Sequence, residues 1–290
     1  MGRAMSHVKK YVALGIPFLL IIANGIIWYA VRKETPASYL TVAFLDIGQG
    51  DSIYIESPHH TKILVDAGAG TAVLGRLGKV MPFYARRIDA AIATHPDKDH
   101  IEGFMAVLRK YKVGKFLESG VSADTSFYAE IEREVAEQKI PKFFARRGMR
   151  INLDEDTTFT ILFPDRDTEG WETNDASIVA RLTYGDSSFL LTGDSPSKIE
   201  EYLISLDPRS LSSNVLKAGH HGSNTSSSQS FIDAVRPAYT VISSGKDNRY
   251  GHPHPDVVSR LEKSGTKILN TATEGTIIFR AYKEGVVENP

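Results

Sequence analysis

His95-Pro96-Asp97-Lys98-Asp99-His100 packs four potential metal ligands, His95, Asp97, Asp99 and His100, into six residues directly after the apolar run Ile88-Asp-Ala-Ala-Ile-Ala-Thr94. A turn at a strand end aims several side chains at one point. Imidazole nitrogens mixed with carboxylate oxygens suit zinc, manganese or iron, and a carboxylate majority tilts the preference toward manganese. Acidic loops also hold histidines by chance, and His59-His60 reads as such a case. Distribution separates the two. Of nine histidines, six fall in three compact clusters, His95/His100, His220/His221 and His252/His254, each beyond or near an apolar strand.

Around this motif, a chain of 290 residues with 42% hydrophobic and 24% charged residues is ordinary globular material, enough for one large domain or two small ones. A net charge of -1 excludes a strongly basic protein that coats nucleic acid, so a polyanionic partner must be held locally. The absence of cysteine excludes disulfides, thiolate metal ligands and thiol nucleophiles. Any metal is therefore held by His, Asp, Glu or Asn.

Residues 1–10 read as a basic tail and Tyr11–Val31 as a transmembrane anchor, an uncharged run between Lys9-Lys10 and Arg32-Lys33 with Trp28 and Tyr29 near one end. At about 1.5 Å per residue it matches a hydrocarbon core of about 30 Å. It exceeds a signal-peptide h-region and lacks a small-x-small cleavage site before Arg32. The flanking cations, Arg3, Lys9 and Lys10 against Arg32 and Lys33, place the N-terminus inside and the remainder outside the membrane. The expectation is a single-pass protein with an extracytoplasmic catalytic domain.

Residues 32–38 read as a linker, 39–284 as the hydrolase domain and 285–290 as a tail. Val42–Asp46, Ser52–Glu56 and Lys62–Asp66 alternate as strands of a mainly antiparallel sheet. Helical periodicity follows in Gly103–Leu108 and Phe127–Ala136, then a second strand-rich block holds Phe159–Phe163, Ser177–Thr183 and Ser188–Thr192. Further helices are expected over Pro196–Ile204 and after Pro255, where Pro opens the helix, Asp256 lies in its first turn and Gly265 closes it. Two strand-rich halves, each followed by helices, predict an α/β protein with two sheets face to face and helices outside.

The order Asp66 at a strand end, His95–His100, Leu191-Thr-Gly-Asp194 and Gly219-His220-His221-Gly-Ser223 resembles the metallo-β-lactamase superfamily over residues 40 to 282. Within it, Leu45-Asp-Ile-Gly-Gln-Gly-Asp-Ser-Ile53, Asp97, His220-His-Gly-Ser223 and Asn248-Arg-Tyr-Gly-His252-Pro-His254 resemble the hydrolase domain of the ComEC competence DNA-uptake channel. The resemblance implies an αββα sandwich with two divalent ions, zinc or manganese. By its pattern His95 and Asp97 hold one metal, Asp99, His100 and His220 the other, and Asp194 bridges, with His221 an alternative to His220. Asp66 orients the first motif through hydrogen bonds. The chain departs from the usual pattern where Asp97 stands for a histidine and where no histidine lies between His100 and His220. Asn174-Asp175-Ala-Ser177 fills that interval, with Asn174 and Asp175 as alternative ligands.

The expected activity is phosphodiester or DNA hydrolysis by a metal-activated water, with Asp97 and Asp99 at the reacting centre. His252 or His254 serves leaving-group protonation or phosphate contact, with Lys217 a weaker option. The competing readings keep the fold for a phosphorylcholine-type wall ester or a lactone, or make the chain a non-catalytic, membrane-tethered DNA-binding partner of an uptake channel. Gly48-Gln-Gly-Asp51 reads as a tight turn, since it lacks the length and the Gly-Lys-Ser ending of a phosphate loop.

Overall fold

The computed structural model describes residues 15–29 and 35–289. The chain divides into two units, Met1–Ala37 and Ser38–Pro290. In the first unit, residues 15–29 are helical. Among the described residues no helix is long and apolar enough to cross a membrane, which overturns the expected anchor over 11–31. At about 1.5 Å per residue the described helix reaches only about 22 Å, short of a hydrocarbon core of about 30 Å. The single-pass topology and the extracytoplasmic placement rested on that span and fall with it. Residues 11–14, 30 and 31 of the expected anchor, the 1–10 tail and residues 32–34 of the linker lie outside the described residues.

The second unit is a sandwich of two sheets. Its first half contributes β1 (Leu40–Phe44), β2 (Ile53–Glu56), β3 (Lys62–Val65), β4 (Arg87–Ile88), β5 (Ala90–Ala93), β6 (Lys112–Val113), β7 (Phe116–Glu118) and β8 (Lys142–Phe144). The second half contributes β9 (Arg150–Asn152), β10 (Thr157–Phe163), β11 (Val179–Tyr184), β12 (Ser187–Leu191), β13 (Val215–Lys217), β14 (Tyr239–Ile242) and β15 (Lys267–Asn270). β16 (Ile277–Tyr282) and β17 (Gly285–Asn289) then return to the first sheet. The orders of the two large sheets are β17-β16-β1-β2-β3-β5-β7-β8 and β15-β14-β13-β12-β11-β10-β9, and β4 and β6 pair as a separate two-stranded sheet. Residues 285–289 of the expected tail form an edge strand paired antiparallel with β16, and residue 290 lies outside the described residues.

The expected mainly antiparallel sheet holds over β17-β16-β1-β2-β3, where every neighbour runs antiparallel. From β3 to β8, and from β12 to β15, neighbours run parallel, because helices intervene between successive strands and return the chain to the same edge. Period-two alternation sends Val42 and Phe44 inward to meet Phe159, Phe189 and Phe279 between the sheets, while Ala43 and Leu45 face the opposite way. On the outer faces, Phe104, Val107 and Ile131 cover the first sheet, and Leu203, Phe231 and Leu261 cover the second. Helix, sheet, sheet, helix is the layer order predicted. The helix after Pro255 runs to Ser264 and closes on Gly265 at φ 75°, a left-handed position that glycine occupies without strain. In each sheet, the parallel strands direct their C-terminal ends toward one rim, where ligand sites of α/β sheets gather.

Candidate metal centre

Asp66 follows β3 at φ 56°, a conformation uncommon for a residue with a Cβ. The twist turns its carboxylate under the end of β5, where Thr94 donates to it from its backbone N–H at 2.8 Å and its hydroxyl at 2.7 Å. The same carboxylate lies 2.8 Å from His100 Nδ1 and leaves His100 Nε2 facing the centre. A carboxylate so placed fixes the tautomer and direction of the imidazole it holds.

The loop Gly48–Asp51 lies across the histidine motif. Asp51 N–H donates to Asp99 O at 3.2 Å, and a Cβ on Gly50, at φ 118°, would sit 2.0 Å from that oxygen. Only glycine permits this approach. The turn therefore does more than reverse the chain, since it delivers the buried Asp51 carboxylate into the site, a candidate ligand that the sequence did not single out. The signal was available: an aspartate beyond a Gly-x-Gly turn, at the start of an apolar strand, is a buried charge that requires a partner.

From the second sheet, Asp194 follows β12 and its N–H donates to Ser177 Oγ at 3.2 Å. His220 and His221 follow β13 with φ of 47° and 55°. Two consecutive non-glycine residues in the left-handed region store strain of a kind that collects at functional sites. Lys217, the last residue of β13, is fully buried, its Nζ 2.5 Å from Asp51 Oδ2, 3.2 Å from Gly193 O and 3.8 Å from Asp194 Oδ1.

These elements converge. Asp51, His100, Asp194 and His221, all buried, offer ligand atoms within 4.8 Å of one another. Asp194 Oδ2 lies 3.3 Å from both His100 Nε2 and His221 Nε2, and His221 Nε2 lies 3.3 Å from Asp99 Oδ2. His95 Nε2 is 3.7 Å from Asp97 and 4.0 Å from Asp194. His220 stands further out, 3.6 Å from Asp194 Oδ2, with its Nδ1 at Thr225 Oγ1.

The remaining candidates divide. Asn174 Oδ1 is buried without a hydrogen-bond partner among the described residues, while Asp175 is ion-paired with Lys198. The His252 ring lies 5.6 Å from that of His220 and 6.4 Å from that of His221. His254 instead caps the Pro255 helix, its Nδ1 accepting from Asp256 N–H at 3.2 Å.

Electrostatics follow the geometry. Burial alone would raise the Asp51 carboxyl, but Lys217 and then His221 pull it down to about 2. Burial likewise opposes charge on His221, yet Asp194 and Asp51 raise it to about 10, and Asp194 and Asp66 raise His100 well above its ordinary value. Whatever draws protons onto these imidazoles draws a metal cation to the same place. His95 has no comparable pairing, and burial pushes it down to about 3, which leaves a neutral imidazole with a lone pair to give.

The donor set of imidazole and carboxylate fits a divalent metal. So do His95 Nε2 and Asp194 Oδ1, buried atoms without a hydrogen-bond partner among the described residues, since buried polar groups are rarely left unmatched.

A profile of the family described as "Metallo-beta-lactamase superfamily" matches residues 45–246. The chain belongs to the metallo-β-lactamase superfamily. It is 33% identical to the competence protein ComA of Neisseria gonorrhoeae, over 93% of this chain and 36% of that protein. It is 30% identical to ComE operon protein 3 of Bacillus subtilis (strain 168), over 84% of this chain and 33% of that protein. It thus spans about a third of the length of these curated relatives. Among solved structures, CmlA, a diiron β-hydroxylase from Streptomyces venezuelae, superposes with a TM-score of 0.55 at 14% identity, covering 85% of this chain and 55% of that one. That likeness shows the metallo-β-lactamase fold and nothing about the reaction.

Proposed function

We propose that this metallo-β-lactamase-superfamily protein is a phosphodiesterase of the nuclease kind, acting on DNA with two divalent cations, zinc or manganese. The observation that carries the reading is the buried Asp51, His100, Asp194 and His221 group, assembled from strand ends of both sheets. The names of the competence relatives support DNA as the phosphodiester. His95 and Asp97 hold one cation, Asp99, His100 and His221 the other, with Asp194 within reach of both sets and His220 at the outer edge. When bound, such cations polarise a phosphoryl oxygen and make an attacking water more acidic.

The protein's own groups prepare that chemistry. Lys217 keeps Asp51 ionised, His221 and His100 do the same for Asp194, and Asp66 fixes the ring of His100. Burial keeps His95 and His252 neutral at pH 7, so each presents a nitrogen lone pair. His252, half-buried and with Nδ1 unpartnered among the described residues, is the group placed to take up a proton during phosphoester cleavage.

The test is turnover of a single-stranded oligonucleotide and of a bis-aryl phosphodiester by the full chain with zinc or manganese. Cleavage that chelation abolishes is the expected result. Stoichiometric metal binding with neither substrate turned over overturns the proposal.

A further inference from the structure

The segment that carries His252 to the metal centre also carries a column of planar groups out to the surface. The rings of His221 and His252 lie 6.4 Å apart at 35°, and those of His252 and Tyr250 lie 5.8 Å apart at 23°. The Arg249 guanidinium sits 4.9 Å from the centroid of Tyr250, and its Nη2 donates to Tyr250 Oη at 2.7 Å. The column begins at a fully buried imidazole and ends at Tyr250, which is 53% exposed.

The loop is built rather than slack. Asn248 Oδ1 accepts from the backbone N–H of Tyr250 at 3.2 Å and of His252 at 3.0 Å. Its Nδ2 donates to Gly245 O at 2.9 Å and His252 O at 2.6 Å. Beside it opens a cleft of about 550 Å³ whose lining includes Lys246, Asn248, His252 and Asn270. An exposed tyrosine capped by a guanidinium has no packing role to explain it, and the metal chemistry does not use it.

We infer that Arg249 and Tyr250 form a stacking platform for an unpaired nucleobase at the mouth of the metal centre, which makes single-stranded nucleic acid the substrate class. The inference rests on the phosphodiesterase reading above. Bases stack on aromatic rings and on guanidinium planes without regard to sequence, and cations alongside hold the backbone. Arg249 offers both a plane and a charge, and the cleft wall carries Lys246 beside Asp247. In a duplex the base faces are occupied by their neighbours, so the platform selects the single strand. A base seated at the outer end of the column leaves its phosphate on the side of His252 and the buried carboxylates.

The experiment compares binding of fluorescein-labelled oligo(dT) with that of an abasic deoxyribose-phosphate oligomer of equal length, by anisotropy, on the full chain without added metal. The wild-type chain should prefer the base-bearing strand by about tenfold. Tyr250→Ala and Arg249→Lys, the latter keeping charge but losing the plane, should each bring that ratio close to one, and Tyr250→Phe should retain it. Equal wild-type binding of the two polymers, a preference that survives both Tyr250→Ala and Arg249→Lys, or duplex competing as well as single strand overturns the inference. Turnover of oligo(dT) with manganese is scored separately. Preference without turnover leaves the platform and sinks the nuclease reading, and turnover without preference does the reverse.

Discussion

The two sides of the metal centre use the same residue types to opposite electrostatic ends. On the inner side, Asp51, Asp66, Lys217, His100 and His221 are partnered with one another, and the imidazoles there are drawn toward their charged forms. On the outer side, His95, His220 and His252 are held toward their neutral forms by burial. The difference is one of carboxylate supply: His100 lies within 3.3 Å of two aspartates and His221 within 3.5 Å of three, whereas His95 meets its nearest carboxylates only at 3.7 and 4.0 Å. The inner side is a frame of balanced fixed charge. On the outer side the neutral imidazoles present lone pairs.

If the inner side is such a frame, removing its lysine should cost stability before it costs anything else. Lys217→Met leaves Asp51 buried with its closest cation gone. Breaking one partner of a buried ion pair costs about 3–5 kcal/mol, so chemical denaturation should show a loss of that order. Pairing the change with Asp51→Asn should recover most of it, because the uncompensated charge goes too. A Lys217→Met chain as stable as wild type would break the contrast between the sides.

The orienting contact at the edge of the frame should act on metal affinity more than on folding. Asp66→Asn keeps the shape but replaces one carboxylate oxygen with an amide nitrogen, which cannot accept both from Thr94 and from His100. Changes of this kind lower metal affinity about 10- to 100-fold. Competition against a chromophoric chelator measures the effect, and unchanged affinity would show that His100 needs no orienting partner.

How much of this was legible in the sequence depended on whether the evidence was local. The His95–His100 motif announced itself because its candidate ligands lie within six residues, and the layer order followed from strand alternation and helix signals. Asp51 did not, because its meaning lies in the distance between Gly50 and Asp99, and that contact exists only once β1 and β5 share a sheet. The choice between His220 and His221 was equally closed, since adjacent left-handed residues turn their rings in directions that no spacing encodes. His254 was grouped with His252 by proximity, yet the backbone uses it as a helix cap. The apolar run at the N-terminus had the composition of a span, and the described helix falls short of one.

A carboxylate outside the centre sharpens the lesson about shared partners. Glu118, on β7, is buried like Asp51 and also has a lysine, Lys142, at 2.8 Å. Lys142 is shared with Glu132 of the helix Ser126–Glu137, which also presents Tyr128 to Glu118. Asp51 has a lysine and two imidazoles around it and falls to about 2, whereas burial pushes Glu118 up to about 7, against the pull of Lys142 and with the help of Glu132. A carboxyl whose folded value lies above its unfolded value, about 4.3, binds its proton more tightly in the native state. Its contribution to stability is full below that unfolded value and is lost as pH rises through about 7. Glu118→Gln should therefore flatten the stability profile between roughly pH 4.5 and 7.5 and leave the variant more stable than wild type at pH 8, by about 1–2 kcal/mol once partial solvent access is allowed for. Denaturation midpoints across that range decide it: a variant that loses stability at pH 8 would mean that Lys142 pairs with Glu118 as effectively as Lys217 pairs with Asp51.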